Sequence, residues 1–548
     1  MTLQRCRDMP DDPADRTGDD PTDRPGEAVS GPPEPGAPGP SRFSRRRLLW
    51  GLGAAGGVAA LGGVAFGVDQ WVAGAPPPPA GGVPSYRSRP DLRLPRTSVV
   101  VPADEVAPGY VLLAPSSGPG QYGPMILDNL GRPVWIHPVS GPWPEGANGI
   151  GKLVATNFQV QDLRGEPVLT WWQGHVILPG YGQGRCEIFD QRYRHVATVV
   201  AGNGRRADLH EFVVTARGTA LVTFYEKVDA DLSPVGGPVR GTLLGCGFQE
   251  IDIASGRVLF EWKARDFIGL DESYNPVAGK GTPDRPWDFF HINSVDVDAD
   301  GSYLISARHT WAVYKVDRTN GAVVWRLNGK QSDYAVGRNA HFAWQHDARS
   351  NPDGTISIFD DGAGVFTTTG KSRGILLRLD EAAMTARLVE QYVQPGPISA
   401  SSQGSVQMQP NGNAFVGWGS QPFASEFSHD GRLLFDLELA KGGVSYRAFR
   451  FPWSGHPTDR PAVALEPRSG GQWVAFASWN GATEVDHWEV LSGQRAGSLQ
   501  PVARARRAGF ETKIPWKPRH ATHRLMAVAA LRSGGRTLGR SATQRLTT

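Results

Sequence analysis

The chain has 548 residues, 68 of them Gly and 44 Pro, with 57 basic against 54 acidic side chains. Hydrophobic residues at 40% exclude a wholly disordered chain, and 20% charged residues exclude a coiled coil. A formal net charge of +3 excludes global attraction to nucleic acid as its main business, and a single bilayer-length apolar segment excludes a polytopic membrane protein.

Residues 1–40 carry nine Asp/Glu, four Arg and nine Pro and no aromatic residue. Such a segment buries too little apolar surface to offset its chain entropy, so it is expected to be disordered. Residues 41–75 read as a twin-arginine signal or a membrane anchor: Arg45-Arg46-Arg47 precedes an uncharged Gly/Ala-rich run from Leu48 to Val68. Ala73-Gly74-Ala75 has the small-x-small form of a cleavage site, but Pro76 follows it, which leaves retention as an anchor open. In either case the rest of the chain lies outside the cytoplasm. A Pro- and Gly-rich linker is expected over 76–94. Of three cysteines, only Cys186 and Cys246 are in the exported part, where one disulfide is possible.

From 95 to 458 two hairpin patterns alternate. One is a polar turn with Gly leading to an aromatic: Asp128-Asn129-Leu130-Gly131 to Trp135, Asp252 through Gly256 to Trp262, Asp317 through Gly321 to Trp325, and Asp430-Gly431 to Phe435. The other places Asp/Asn-Gly before an apolar strand: Asp300-Gly301, Asp353-Gly354 and Asn411-Gly412, with a cruder copy at Arg217-Gly218. Gly and Asn supply the φ > 0 positions these turns need. Two hairpins per repeat make a four-stranded blade, so the expected fold is all-β: a β-propeller of six blades. Spacing alone leaves five or seven open. Residues 461–548 hold short Trp-containing strands at close spacing and are expected to form a small fibronectin III/immunoglobulin-like sandwich. The last 48 residues carry eleven Arg/Lys against one Glu, a face suited to anionic lipid or cell wall, or simply a solvated edge.

Three histidines fall just before the apolar strand of successive repeats: His210 in Asp208-Leu209-His210-Glu211, His291 in His291-Ile292-Asn293-Ser294, and His346 in Gln345-His346-Asp347. Equivalent inner-strand positions of a propeller converge on its central channel, and Arg308 closes the strand after His291. Imidazoles, the Asn293 amide and a guanidinium together suit an oxyanion such as sulfate or phosphate. Two plainer readings compete. Each His could satisfy a carbonyl within its own repeat, or the three could hold a metal, which the guanidinium disfavours. Trp344, Phe342 and Phe290 flank the motifs and could stack an aryl ring or pack between repeats.

These motifs, with Ser306-Ala307-Arg308-His309 and Ile358-Phe359-Asp360-Asp361-Gly362, resemble the arylsulfotransferase family of bacterial six-bladed propellers, in its broad actinobacterial-type branch. The resemblance is strongest over 205–455. It implies transfer of sulfate from an aryl sulfate ester to a phenol without a nucleotide sulfate donor or other cofactor, and no metal. It also implies a catalytic set of His346, His210, His291, Asn293 and Arg308. His346 matches the nucleophile that would carry sulfate, while His210 would move the proton and His291 would face the oxyanion, two roles that the residues alone leave exchangeable. The implied partners are a small-molecule aryl sulfate and a phenol, with membrane association possible through 48–68. Two other readings are a non-catalytic propeller binding an anionic cell-surface or small-molecule ligand, and a quinone-dependent dehydrogenase, whose tryptophan-docking repeat this chain lacks.

Changing Arg45, Arg46 and Arg47 to Lys is expected to leave the protein in the cytoplasm. Cell fractionation checks this, and unchanged export of the variant would remove the twin-arginine assignment.

Overall fold

The computed structural model describes residues 83–140, 153–177, 180–396, 398–520 and 522–546. The chain divides into Met1–Gly57 and Val58–Thr548, and every described residue belongs to the second unit. The acidic segment 1–40, the signal or anchor over 41–75 and residues 76–82 of the linker thus lie outside the described residues. Among the described residues no helix is long and apolar enough to cross a membrane. The helical elements are three-residue turns, and the fold is all-β.

Between Thr97 and Phe451 the strands form six sheets. The first joins Ser445–Phe451 to Tyr110–Pro115, Met125–Leu127 and Pro133–Ile136. The second runs Leu153–Leu163, Glu166–Ile177, Tyr181–Phe189, His195–Val199, and the third Phe212–Val214, Thr219–Ala230, Gly241–Asp252, Val258–Lys263. The fourth is Ile292–Val297, Tyr303–Ala307, Ala312–Val316, Val323–Leu327. The fifth is His346–Ser350, Thr355–Asp360, Arg373–Asp380, Thr385–Tyr392, with Ala335–Val336 added in parallel at its edge. The sixth is Ser405–Met408, Ala414–Gly417, Phe423–Phe427, Leu433–Leu439, with Thr97–Val101 added antiparallel. The eight turns anticipated from sequence all connect antiparallel neighbours within these sheets.

Strands such as Tyr110–Pro115 and Tyr303–Ala307 are buried on both faces because each sheet packs against a neighbour on either side. Val111 and Leu113 enter a cluster with Phe415 and Leu437 of the sixth sheet, while the alternate residues Leu112 and Ala114 join Phe158 and Trp171 of the second. The same two-sided packing recurs from second to third sheet (Trp172, Phe212), third to fourth (Phe248, Tyr303), fourth to fifth (Leu327, Ile358) and fifth to sixth (Phe359, Trp418).

Residues 83–94 differ from the expected linker. Leu92 and Leu94 are buried in the cluster between the first and sixth sheets, Ser85 bridges Arg93, and the Ser88 N–H donates to Glu511. Two apolar side chains in a Pro/Arg-rich stretch are enough to pin it down. Cys186 and Cys246 are both free and buried, in different clusters, so the possible disulfide is not formed; burial pushes both thiols well up, which keeps them inert.

After Phe451 a three-stranded sheet (Ala462–Pro467, Trp473–Ser478, Glu511–Trp516) and a second sheet (Gln500–Arg506, His487–Gly493, Leu525–Leu531, Thr537–Arg540, Gln544–Arg545) share one core containing Trp473, Trp488, Ile514 and Val528. Asn480 ties them to the edge of the first sheet: its Oδ1 accepts from Ile136 N at 3.0 Å and its Nδ2 donates to Ile136 O at 2.9 Å. One side-chain amide thus pairs as a strand would.

Where the first strands of the six sheets meet, four charged side chains interlock. Arg447 Nη1 lies 2.9 Å from Glu211 Oε1 and its Nε 3.2 Å from Asp347 Oδ1. Arg349 Nη2 lies 2.7 Å from both Glu211 Oε2 and Asp347 Oδ1. Glu211, Asp347 and Arg447 have no side-chain exposure, so each charge depends on the others. Backbone N–H groups of Phe212, Val295 and Val406 donate to the two acids as well. Replacing Arg447 by Met leaves a buried acid uncompensated and is expected to cost about 3–5 kcal/mol of stability. Urea unfolding checks this, and an unshifted midpoint would show that the quartet holds nothing.

Candidate functional site

The expected convergence of the histidines is present. His210 stands two residues before the first strand of the third sheet, His291 immediately precedes that of the fourth, and His346 opens that of the fifth. The His210 and His291 rings lie 4.8 Å apart, and Tyr446 lies 5.8 Å from His210 and 6.3 Å from His346. Arg308 follows the strand Tyr303–Ala307, and its N–H donates to His291 O at 3.0 Å, which fixes its place beside that histidine. All five expected site residues are buried, from 0% exposed at Asn293 to 9% at His291.

Each histidine has its Nδ1 on a carboxyl oxygen. Asp208 Oδ2 lies 2.6 Å from His210, Asp288 Oδ2 2.5 Å from His291, and Asp361 Oδ2 2.8 Å from His346. The three Nε2 atoms are thereby left to face the site. At His346 the tautomer is set from both sides. The Gln403 N–H donates to Nε2 at 3.2 Å, so Nε2 carries a lone pair and the proton sits on Nδ1. Burial, with Arg308, His291, His210 and Arg447 nearby, pulls His346 well below the ordinary imidazole range; it is neutral at pH 7. Burial likewise pushes Asp361 well up against the pull of Arg308, which disfavours an ion pair with His346. Burial also lowers His291, outweighing Asp288, so it too is neutral without an anion.

Arg308 has only neutral partners. Its Nη2 donates to Ser401 O at 2.7 Å, its Nη1 lies 3.2 Å from His309 Nε2, and its guanidinium carbon lies 5.1 Å from the Trp344 ring centroid. Its Nε is buried without a partner among the described residues. His309 Nδ1 donates to Asp288 O at 2.7 Å, so its Nε2 is an acceptor. A neutral imidazole therefore orients Arg308 and leaves its positive charge uncancelled. Asn293 sits at a break in strand register between Ile292 and Ser294. Such an irregularity re-aims one side chain out of the ladder. One Asn293 amide N–H goes to Gln345 O at 2.6 Å.

The segment Ser401–Gly404 joins these parts: Ser401 holds Arg308, Gln403 holds His346, and Gly404 N–H donates to Tyr446 O. Gly404 has φ +109°, and a Cβ there would lie 2.3 Å from the Phe359 ring, so no other residue fits. His291, Trp344, Asp347 and Gln403 also have positive φ, at roughly 1–2 kcal/mol each, strain concentrated around one site. Sequence reasoning missed the roles of Asp208, Asp288, Asp361, His309, Ser401 and Gln403. The acids stand two before, three before and fifteen after their histidines, so no repeat spacing marks them. Of the flanking aromatics, Trp344 borders the site, whereas Phe290 and Phe342 belong to the cores between sheets. Asp288, His291 and His309 offer donor atoms within 4.8 Å of one another, as a metal site would. However, both Nδ1 atoms are already engaged with Asp288, and the Arg308 cation adjoins His309.

The site is thus a buried cation and three carboxyl-oriented imidazoles, built for an anion. The family profile described as Arylsulfotransferase (ASST) matches residues 159–440, and the chain belongs to that family. No curated protein matches it. Among solved structures it is similar to a protein of unknown function from Bacteroides caccae (12% identity, 62% of this chain and 98% of that one, TM-score 0.37). It is also similar to a streptogramin B lyase (11%, 69% and 94%, TM-score 0.31). A third is an inactive virginiamycin B lyase from Staphylococcus aureus with quinupristin (8%, 72% and 100%, TM-score 0.26).

Nitrogen-15 NMR of labelled protein is expected to show His346 as the neutral Nδ1–H tautomer at pH 7. Because its pKa is lowered, protonation should begin only well below pH 6.5. An Nε2–H signal, or a midpoint at or above 6.5, would contradict the arrangement.

Proposed function

We propose that the six sheets are the blades of a single β-propeller followed by a fibronectin III/immunoglobulin-like sandwich over 461–548. We further propose that the site moves sulfate from an aryl sulfate ester to a phenol through a sulfohistidine at His346. The observation that carries this reading is the lone pair held on the Nε2 of a buried, neutral His346, beside a guanidinium with no carboxylate partner. A neutral imidazole is both a nucleophile and a good leaving group, so one atom can serve both half-reactions.

In the first half-reaction, Nε2 of His346 gives up its hydrogen bond from Gln403 N–H and attacks sulfur with the freed lone pair, the S–O bond to the aryl group breaks, and its electron pair leaves on the phenolate oxygen. His210, oriented by Asp208, gives that oxygen a proton. The imidazole then bears sulfate on Nε2 and its original proton on Nδ1, and the positive charge that develops is met by Asp361. Arg308, the free Asn293 N–H and His291 hold the sulfuryl oxygens; the incoming anion favours the protonated form of His291 that burial alone suppresses. In the second half-reaction an acceptor phenol loses its proton to His210 and attacks sulfur, and the S–N bond breaks. The same proposal has the protein exported folded by the twin-arginine route, on the strength of Arg45–Arg47 and the apolar run that follows them.

Donor without acceptor is expected to give a burst of about one phenol per site, with steady turnover only when a phenol is added, and parallel double-reciprocal lines. His346→Ala should lose both the burst and the turnover. A quenched-flow assay with a chromogenic aryl sulfate tests this. Intersecting lines without a burst would replace the carrier by direct transfer, and no released phenol at all would leave a binding protein.

A further inference from the structure

We propose that Trp311, Trp344 and Phe366 form the subsite for the aromatic ring of the donor, with Phe366 setting which ring sizes are accepted. This rests on the reading of the site as one for aryl sulfates. Trp344 is fully buried and carries Arg308 against its ring on the side of the chemistry. The Trp311 ring meets it edge-on, 5.3 Å away at 72°, and is backed by Tyr274, stacked at 3.7 Å and 7°. Phe366 closes the group, 5.0 Å from Trp344 at 82° and 5.7 Å from Trp311. The Trp344 ring therefore adjoins the guanidinium on one hand and Phe366 on the other. An arene bearing a sulfate group at one end has the same two halves.

Three further features separate this cluster from ordinary packing. Trp311 and Trp344 both have positive φ, a conformation that bulky residues rarely adopt without being held there. Their indole N–H groups are buried and have no acceptor among the described residues, although buried indoles usually find one. Phe366 is 43% exposed, in contrast to the buried indole it touches. It lies on the loop between Thr355–Asp360 and Arg373–Asp380, whose first residue, Asp361, orients His346. The loop is pinned against the indole: a Cβ at Gly364 would lie 2.4 Å from Trp344 Cδ2. It is also folded on itself, with Gly362 O accepting from the N–H groups of Thr368, Thr369 and Gly370. The segment that orients the nucleophile thus also presents an exposed aromatic ring beside the anion site.

The test uses the intact protein and two non-reactive probes, 2-naphthalenesulfonate and methanesulfonate, with binding followed by calorimetry. Phe366→Ala is expected to weaken naphthalenesulfonate on the order of tenfold, while methanesulfonate, which meets only the anion site, is unchanged. Phe366→Tyr keeps the ring and should keep the affinity. In turnover, Phe366→Ala should raise KM more for a naphthyl than for a phenyl sulfate. Equal losses for both probes, no loss for either, or wild-type protein that binds no arenesulfonate would overturn the subsite. Wild-type protein that shows the expected binding pattern yet transfers no sulfate would leave the subsite standing and remove the proposed function. Transfer that is indifferent to ring size in Phe366→Ala would do the reverse.

Discussion

Everything in the centre of this molecule depends on the compensation of Glu211 and Asp347 by Arg447 and Arg349. Two buried acids and two guanidinium groups are tolerable only together, because an isolated charge in a dry interior loses far more hydration than neighbouring dipoles return. The four residues come from the third, fifth and first sheets, and their remaining hydrogen bonds reach the fourth and sixth. The quartet thus fixes the separation of five sheets with one set of contacts, which hydrophobic packing between neighbouring pairs cannot do.

The chemistry of the site is laid over that quartet by adjacency in sequence. His210 precedes Glu211 and His346 precedes Asp347, so the residue that serves the site and the residue that serves the quartet share a peptide bond. The positive φ of Asp347 and of His291 turns the chain where a regular strand would continue. Orientation of the imidazoles is then left to carboxyl groups outside the quartet. Arg308 is treated in the opposite way: it is steadied by His309, Ser401 and Trp344, and among the described residues no carboxylate bonds to it directly, although Asp361 and Asp288 feel its charge.

The parts of this arrangement that follow local rules were readable in the sequence. Turns such as Asp128 to Gly131 and Asp317 to Gly321 announce themselves because the backbone there demands Gly or Asn. The histidines stood out because they recur at the same point of a repeat. Asp361 and Gln403 did not, since they lie on loops whose length the repeat does not govern, and only folding brings them to the two nitrogens of one ring. Arg447 was illegible for another reason. In Ser445-Tyr446-Arg447-Ala448-Phe449-Arg450-Phe451 an arginine reads as a solvent-facing strand position, and only its contacts with Glu211, Asp347 and Asn293 of other sheets account for its burial. Phe290 and Phe342 show the converse: adjacency to a motif did not put them in the site, because both lie on irregular segments ahead of the first strands and turn into the cores between sheets.

The first strand of the first sheet is supplied from the far end of the six-sheet segment, Ser445–Phe451, and the sixth sheet takes its last strand from Thr97–Val101. During synthesis, therefore, Glu211 is made 236 residues before Arg447. Until residue 447 has emerged, Arg349 alone faces both acids, and Tyr446 is missing from between His210 and His346. Assembly of the centre is thus deferred until the strand Ser445–Phe451 has been made and is coupled to its pairing with Tyr110–Pro115. A chain ending before Ser445 has every imidazole of the site but lacks Arg447, Tyr446 and the first strand of the first sheet. Chain completeness is built into the geometry of the reaction centre.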